Sequence, residues 1–393
     1  MHFISLRDAA VRGKRVLLRE DFNVPMKDGA IADETRITAA LPTLRWLHEQ
    51  GARTVILSHL GRPDGKPNPK YSLAPIAPRL AELLGTPVTF VADCVGDAAV
   101  SASEGLPDGG FALFENVRFH PGEEANDPAF ARELARSGDL YVNDAFGTAH
   151  RAHASTAGVA TDLPSYAGFL MEAELSALAR LTSDPAHPYV CAIGGAKVTD
   201  KVGVFENLVA KVDAFVIGGG MANTFLAAQG IAVGRSLRDP DLGPAKRIIE
   251  LAGERAVSLH LPTDAVVADA FDADDTARTV ALPDVGDGMI LDIGPQTARA
   301  YAAVLRAAKT IVFNGPMGVY EKTAYQNGTR VVGEAIAEAT QHGATSVVGG
   351  GDAAAAAHVL GFAGAMTHVS TGGGATLEFL EGKTLPGVAA LER

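Results

Sequence analysis

Several arginine residues stand at loop positions in the first half of the sequence, where they could bind an anion. Arginine matches phosphate and carboxylate groups through two parallel hydrogen bonds. A single surface arginine is more often half of an ion pair. Because several occur at comparable places, together with a histidine, convergence on one phosphorylated or carboxylated small molecule is favoured. The residues concerned are Arg36, His59, Arg62, Arg118 and Arg151.

The motif Arg19-Glu20-Asp21-Phe22-Asn23-Val24-Pro25 follows the first apolar run. A strand period of two would place Arg19, Asp21 and Asn23 on one side and Glu20 on the other. The carboxyl end of a parallel strand is where α/β sheets bind ligands, but Asn and Pro are also turn residues. The motif alone leaves a binding site and a plain turn equally open.

The pair His150 and His153 has a spacing that could suggest a metal site. No third ligand accompanies it at a recognised spacing such as that of an HExxH motif. We therefore expect these histidines to form hydrogen bonds or to order their loop rather than to bind zinc.

The second half carries its polar groups on glycine-rich loops. Gly194-Gly195-Ala196-Lys197 precedes Lys201, and Gly349-Gly350-Gly351-Asp352 opens an alanine-rich segment. Glycine lets the backbone approach a ligand, and helix N-termini attract phosphate. If the segment is helical, Lys197 and Lys201 share one face and could reach one polyphosphate. Asp352 could cap its helix or hold Mg²⁺ beside phosphate oxygens.

Short apolar runs such as Thr54–Leu57 alternate with helical patterns along the whole chain. This alternation predicts an α/β protein with parallel sheets and functional loops at the carboxyl ends of the strands. A helical run, Glu172–Arg180, leads into a segment rich in Pro and Asp, which marks a boundary. We predict two doubly wound, Rossmann-like parallel-sheet domains joined by a helix, with a cleft between them.

The composition excludes several classes of protein. A length of 393 residues suggests two or three domains, and a net charge of −12 argues against a nucleic-acid partner. Cys94 and Cys191 lie far apart and form neither a zinc motif nor a disulfide framework, as expected in a reducing cytosol. No stretch suggests a membrane span or a signal peptide, so we expect a cytoplasmic protein without a membrane partner. The P-loop and the G-x-G-x-x-G turn are both missing.

Ten motifs, in order, resemble the phosphoglycerate kinase family over essentially the whole chain. The resemblance implies Mg²⁺-dependent transfer of a phosphoryl group between 1,3-bisphosphoglycerate with ADP and 3-phosphoglycerate with ATP. It also implies a role in glycolysis and gluconeogenesis, and a monomer. The motifs are Arg19–Pro25, Ser58–Pro63, Glu115–Gly122, Gly147–Thr156, Gly194–Lys201, Gly218–Met221, Asn314–Gly318, Gly349–Asp352, Ser370–Leu377 and Leu385–Gly387.

The resemblance also assigns domains and site residues. Residues 1–170, with about 377–393 returning onto them, would bind the glycerate, and 171–187 would form the linker helix and hinge. Residues 188–376 would bind Mg-nucleotide. The glycerate residues would be Asp21, Phe22, Asn23, Arg36, His59, Leu60, Gly61, Arg62, Arg118 and Arg151. The nucleotide residues would be Gly195, Lys197, Lys201, Gly219, Leu291, Asn314, Pro316, Glu321, Gly350, Gly351, Asp352 and Ala353, with Asp352 as the metal ligand.

Arg36 and Lys197 would be the catalytic residues, one on each domain, so the cleft would have to close before both act. The family usually has a small or apolar residue at Glu20, which we expect to make packing or solvent contacts. It usually has a hydroxyl residue at Ala353, so nucleotide binding should be weaker by at most about 1–2 kcal/mol.

Three other functions compete with this one. A kinase for an unphosphorylated carboxylate would leave the arginine residues unpaired. A non-catalytic two-lobed anion-binding protein would have no use for Lys197, Lys201 and Asp352. A nicotinamide dehydrogenase would need the missing G-x-G-x-x-G turn.

Overall fold

The computed structural model describes residues 3–392, which form two compact units. Unit 1 extends to Leu175 and includes the chain from Thr384, whereas unit 2 comprises Ser176–Lys383. The sequence places the return of the chain near residue 377. In the structure, the helix Gly374–Leu380 stays in unit 2, because it packs against the helix Val202–Leu208.

A six-stranded parallel sheet forms the centre of unit 1, in the order β5-β6-β4-β1-β7-β8. The run Val16-Leu17-Leu18 lies in the middle strand, β1, and is completely buried, which explains its continuous apolar sequence. The strands are β1 (Arg15–Arg19), β4 (Arg53–Leu57), β5 (Val88–Val91), β6 (Phe111–Phe114), β7 (Leu140–Asn143) and β8 (Ser165–Ala167), with a hairpin of β2 (Met26–Lys27) and β3 (Ala30–Ile31).

Helices connect these strands, and the apolar faces of the first two pack on the sheet in one core. The chain returns to this unit at its end, where the Gly387 N–H donates to the Ala149 carbonyl at 2.8 Å. The helices are α1 (Thr35–Glu49), α2 (Ile76–Leu84), α3 (Asp97–Glu104), α4 (Pro121–Glu124), α5 (Pro128–Ala135), α6 (Phe169–Thr182), which runs on into unit 2, and α14 (Pro386–Ala389).

Unit 2 has a second six-stranded parallel sheet, in the order β11-β10-β9-β15-β16-β17. A separate antiparallel sheet, β13-β12-β14, is inserted between its two halves and was not predicted from the sequence. The strands are β9 (Tyr189–Ile193), β10 (Ala214–Ile217), β11 (Ser258–His260), β12 (Asp264–Ala268), β13 (Arg278–Ala281), β14 (Met289–Ile293), β15 (Thr310–Asn314), β16 (Thr345–Val348) and β17 (His368–Val369).

The helices of unit 2 fill the connections between its strands. They are α7 (Val202–Leu208), α8 (Gly219–Ala228), α9 (Gly243–Glu254), α10 (Pro295–Ala307), α11 (Asn327–Gln341), α12 (Gly351–Val359) and α13 (Gly374–Leu380). Two parallel sheets flanked by helices confirm the predicted fold class. None of the helices within residues 3–392 is both long and apolar enough to cross a membrane.

Each parallel sheet reverses its winding direction at one point. In unit 1 the chain moves outward from β1 to β4 and then returns to the other side through β7. In unit 2 the reversal falls between β9 and β15. The loops that leave the carboxyl ends of strands at such a switch point diverge and form a crevice, where α/β sheets bind their ligands.

Candidate functional site

The loops after β1 and β4 join to form the first candidate site, in unit 1. Asp21 Oδ2 accepts a hydrogen bond from Arg36 Nη1 at 2.8 Å, and its Oδ1 lies 3.9 Å from His59 Nδ1. Asn23 Oδ1 accepts the N–H of Gly61 at 2.8 Å. Five of the predicted residues, from two loops and the first turn of α1, are therefore in direct contact.

Gly61 is where the loop after β4 turns. Its φ of +63° lies in the left-handed region, and a Cβ would lie 2.3 Å from the ring of Tyr71. Its carbonyl accepts a hydrogen bond from Arg118 Nη1 at 2.9 Å. The neighbouring predicted residues Phe22 and Leu60 are buried, and the Phe22 N–H donates to Ser58 Oγ at 2.8 Å, so both residues hold the two loops in place beside the site.

Positive charge is concentrated around two buried histidines. Burial, followed by the charges of Arg19, Arg118 and Arg36, lowers the pKa of His59 well below its ordinary value. Burial also lowers the pKa of His153 to about 3, with Arg118 and Arg19 acting in the same direction. Both imidazoles are therefore neutral at physiological pH, and the guanidinium groups supply the positive charge that an anion requires.

The remaining arginines differ in position. The charge of Arg151 acts on Arg118 and on His153, which places it in the same group. Burial and the neighbouring Arg19 lower the pKa of Arg118 to about 10. Arg62 lies on the loop after β4 and is exposed. The structure therefore brings together Arg36, Arg118, Arg151 and His59, with Arg62 at the solvent-facing part of the same loop.

His150 does not pair with His153 around a common metal position. Its Nε2 instead accepts a hydrogen bond from Arg151 Nε at 3.2 Å. Among residues 3–392, the one compact group of potential metal ligands lies elsewhere and includes neither histidine. Hydrogen bonding, the role favoured by the sequence, is the role that the geometry gives His150.

Arg19 is a central residue of this site that the sequence motif contained but did not mark as functional. Its side chain is completely buried. Nε donates to Ser155 Oγ at 2.7 Å, and Nη2 lies 3.3 Å from His59 Nδ1. Ser155 Oγ in turn donates to the buried Glu123 at 2.6 Å. The sequence does contain an indication of this role, since Arg19 directly ends the apolar run Val16-Leu17-Leu18, and such a position favours a buried charge.

Glu20 lies in the core of unit 1 and not at the surface. It is completely buried, with the carboxyl group of Asp144 beside it. Burial, followed by the negative charge of Asp144, raises its pKa well above the ordinary value of 4.5. Asp144 is also buried, and burial raises its pKa to about 6. Glu20 therefore favours its neutral form.

The Glu20→Gln variant should remove a pH dependence of stability. The pKa of Glu20 is higher in the folded protein than in the unfolded chain. Its contribution to the free energy of unfolding is therefore complete below about pH 4.5 and is lost as the pH rises toward the folded-state pKa. The loss is at most about 1.4 kcal/mol per pH unit for one proton. We expect the wild type to lose urea resistance over this range and Glu20→Gln to lose less. The exposed Glu49→Gln variant is the control; parallel curves for all three proteins would contradict the assignment.

Lys201 connects two loops at the switch point of unit 2. Its Nζ donates to the carbonyl oxygens of Gly194, at 2.8 Å, and Asn314, at 2.7 Å. Burial lowers the pKa of this ammonium group to about 8. Gly194 has no room for a side chain, since a Cβ would lie 1.9 Å from the carbonyl oxygen of Pro316. A charged group thus lies where the loops after β9 and β15 meet.

The segment before Lys201 is a loop, so the lysines do not share a helix face. Helix α7 begins only at Val202, and Lys197 is exposed whereas Lys201 points inward. The loop is held by the buried Asp239, whose Oδ2 accepts the N–H of Val198 at 2.7 Å and that of Thr199 at 3.2 Å. Sequence analysis missed Asp239, which stands far away in the chain without a recognisable motif.

A cavity of about 590 Å³ opens beside these loops, entirely within unit 2. Phe271, Leu237, Met289 and Leu226 contribute apolar walls, which suit a flat aromatic ring. Six of the predicted nucleotide residues line this cavity: Gly195, Gly219, Leu291, Pro316, Glu321 and Asp352. The apolar cavity thus lies directly beside the glycine-rich loop that precedes Lys201.

Asp352 stands in the first turn of α12, after Gly350 at a φ of +97° and next to Gly351. Its carboxylate is exposed and acts electrostatically on Lys201. Ala353 is buried and packs in the core behind the helix. Asn314 fixes the neighbouring loop, since its Nδ2 donates to the Gly349 carbonyl at 2.8 Å while its Oδ1 is buried without a partner.

Comparisons with known proteins agree on one family. The model of the family described as phosphoglycerate kinase matches residues 6–383. A phosphoglycerate kinase of Chloroflexus aurantiacus is 55% identical over 99% of this chain and 98% of its own length. One from Moorella thermoacetica is 54% identical with the same coverage.

Solved structures give the same result for the fold. The phosphoglycerate kinase of Coxiella burnetii matches with a TM-score of 0.91 and 44% identity over 99% of both chains. That of Pyrococcus horikoshii OT3 matches with a TM-score of 0.85 and 36% identity over 99% of this chain and 98% of its own.

Proposed function

Because the chain belongs to the phosphoglycerate kinase family, and so is a phosphotransferase of glycolysis, we propose a specific reaction for it. It transfers a phosphoryl group, reversibly and with Mg²⁺, between 1,3-bisphosphoglycerate with ADP and 3-phosphoglycerate with ATP. The observation that carries the proposal is that one unit holds a cluster of arginines around two buried histidines, and that the other holds Lys201 on glycine-rich loops beside an apolar cavity.

The glycerate ligand would bind in unit 1. The guanidinium groups of Arg36, Arg118 and Arg151, with Arg62, match its phosphate and carboxylate groups. Asp21 would hold the Arg36 guanidinium group, and Asn23 would hold the Gly61 backbone, in position around it. Neutral His59 adds a hydrogen-bonding group without a charge of its own.

The nucleotide would bind in unit 2. Its base enters the apolar cavity, its phosphates approach the glycine loops and Lys201, and Glu321 is available to the ribose. The residues fit Mg²⁺, because the exposed Asp352 carboxylate lies on the same cavity, and this ion commonly takes one or two carboxylates together with phosphate oxygens. Asp352 would hold the ion, which neutralises phosphate charge when bound. Ala353 lies in the first turn of α12 and has no hydroxyl group, so it would offer the phosphates only its backbone N–H.

The chemistry requires no general base. In the direction that consumes ATP, the attacking group is the carboxylate of 3-phosphoglycerate, which is already ionised at neutral pH. What the chain supplies is alignment and positive charge around the moving phosphoryl group. We assign this role to Arg36 and Lys197. Since they belong to different units, motion of the hinge would bring them to one phosphoryl group and exclude water.

The affinity for Mg-ADP should fall in alkaline solution through Lys201. Its pKa of about 8 means that the free protein loses this charge as the pH rises beyond that value, whereas phosphate favours the charged form. We expect a decrease of up to about tenfold per pH unit above 8. Calorimetric titration across this range measures it. Lys197→Ala, which retains Lys201, should keep the slope, and a slope that survives in Lys201→Met would contradict the prediction.

A coupled assay of acyl-phosphate formation from 3-phosphoglycerate, ATP and Mg²⁺ tests the proposal. Turnover that is lost when 3-phosphoglycerate is replaced by unphosphorylated glycerate supports it. Equal turnover with glycerate would indicate a kinase of different specificity. Binding of both ligands without turnover would indicate a two-lobed binding protein. We further propose that the chain acts as a cytoplasmic monomer; sedimentation at working concentration tests the oligomeric state.

A further inference from the structure

A compact group of three potential metal ligands lies in unit 1 and has no part in the proposed reaction. Asp93 and Cys94 follow β5, and His120 immediately precedes α4. Nε2 of His120 lies 2.8 Å from Asp93 Oδ1, and the three ligand atoms lie within 4.8 Å of one another. We propose that Asp93, Cys94 and His120 form a binding site for a thiophilic divalent metal ion of the Zn²⁺ type.

The ligand set selects the class of metal. One thiolate, one imidazole and one carboxylate are the three donor types that Zn²⁺ takes in proteins. Ligand atoms of a tetrahedral zinc site are roughly 3.5 Å apart, so the 2.8 Å His120–Asp93 pair would open and the wider spacings, at most 4.8 Å, would close around an ion. Hard ions such as Mg²⁺ prefer oxygen ligands and compete poorly for sulfur. Three protein ligands leave the fourth position for water.

Negative charge surrounds the buried thiol of Cys94. Its side chain is only 1% exposed. Burial raises the pKa of the thiol, and the negative charges of Asp93, Glu123 and Glu115 raise it further. The same negative field attracts a metal ion.

Two contacts hold the other ligands in place. Asp93 Oδ1 also accepts the N–H of Cys94 at 2.6 Å, which fixes its carboxylate beside the thiol. The His120 ring stacks on Phe130, with ring centroids 5.1 Å apart. The side chains of His120 and Asp93 are 30% and 53% exposed, so an ion reaches the site from solvent. A bound ion would link the loop after β5 to the segment that carries Arg118.

Cadmium titration of the full-length protein tests the site directly. Cd²⁺ is a thiophilic probe whose bond to a thiolate produces an ultraviolet charge-transfer band. We expect this band at one equivalent of Cd²⁺ in the wild type and in Cys191→Ser, which removes the other buried cysteine. We expect its loss in Cys94→Ser. A band that survives in Cys94→Ser, or that disappears in Cys191→Ser, would overturn the proposal.

Zinc titration by calorimetry provides the second measurement and does not depend on how Cys94→Ser folds. Asp93→Asn and His120→Gln change partly exposed side chains and should weaken Zn²⁺ binding by at least about tenfold, since even outer-shell changes cost roughly 10- to 100-fold. His358→Gln, at an exposed histidine of unit 2, should bind Zn²⁺ like the wild type. Unchanged affinity in both ligand variants would refute the site. The zinc-site proposal does not depend on the kinase reaction, so a negative result for one proposal does not contradict the other.

Discussion

Replacing Arg36 by alanine should lower kcat by about 10³-fold or more, because arginines that neutralise a moving phosphoryl group contribute roughly 10³- to 10⁵-fold in kcat. Arg36 stands in the first turn of α1, and Asp21 holds its Nη1 at 2.8 Å. Its side chain is still one-third exposed, so part of the guanidinium group is free to meet a ligand. The measurement is the rate of acyl-phosphate formation at saturating 3-phosphoglycerate and Mg-ATP.

Arg45→Ala is the matched control for this variant. Arg45 lies on the same helix, is exposed and donates to the Leu83 carbonyl outside the site. It should retain nearly wild-type kcat. Arg36→Lys preserves the charge but not the planar fork and should recover only part of the rate. A small change in kcat with a large rise in KM would show that Arg36 binds the glycerate without assisting transfer.

Loss of Arg36 also leaves the mostly buried carboxylate of Asp21 without its ion-pair partner. Unfolding in urea must therefore be measured beside the kinetics. If Arg36→Ala unfolds at the same urea concentration as the wild type and still has a reduced kcat, the reduction reflects catalysis and not stability. If it unfolds under assay conditions, Arg36→Met and Asp21→Asn, studied together, separate the two effects because the second variant removes the unpaired charge.

Local sequence patterns predicted most of the fold and most residues of the candidate anion site. Continuous apolar runs such as Val16–Leu18 predict buried parallel strands because both faces of such a sheet are covered. Arginine and glycine residues directly after these runs necessarily lie at one edge of the sheet. The antiparallel sheet of unit 2 escaped prediction because β13 is largely exposed and has no apolar run, and because the short apolar runs of β12 and β14 do not by themselves reveal antiparallel pairing.

Residues that support the site from a distant part of the sequence could not be predicted from local patterns. Asp239 holds the loop that contains Lys197, although forty-one positions separate it from its partner Val198. Glu123 supports Ser155, and through it Arg19, from a position in α4 just beyond the end of the Glu115–Gly122 motif. Such contacts depend on tertiary packing, for which a single sequence carries no local signal. The shared helix face considered for Lys197 and Lys201 does not exist either, because α7 begins after both residues.

Lys197→Ala should lower kcat by about 10²- to 10³-fold while changing the affinity for Mg-ADP much less. Removing one group aimed at charge that develops in a transition state has an effect of this size. Lys197 is exposed beside the glycine loop, whereas Lys201 is bound to two backbone carbonyls. An unrestrained ammonium group can follow the phosphoryl group during transfer, and a restrained one serves the bound nucleotide.

The kinetic signatures of the two lysines should therefore differ. Lys197→Ala should mainly reduce kcat, and Lys201→Met should mainly weaken nucleotide binding and reduce the stability of unit 2. Lys246→Ala removes an exposed lysine of α9 and controls for the loss of one positive charge. Equal kcat in Lys197→Ala and Lys246→Ala would exclude Lys197 from catalysis. In that case the positive charge supplied by unit 2 would have to come from Lys201, whose pKa of about 8 in the free protein would then appear in the pH dependence of kcat/KM for the nucleotide.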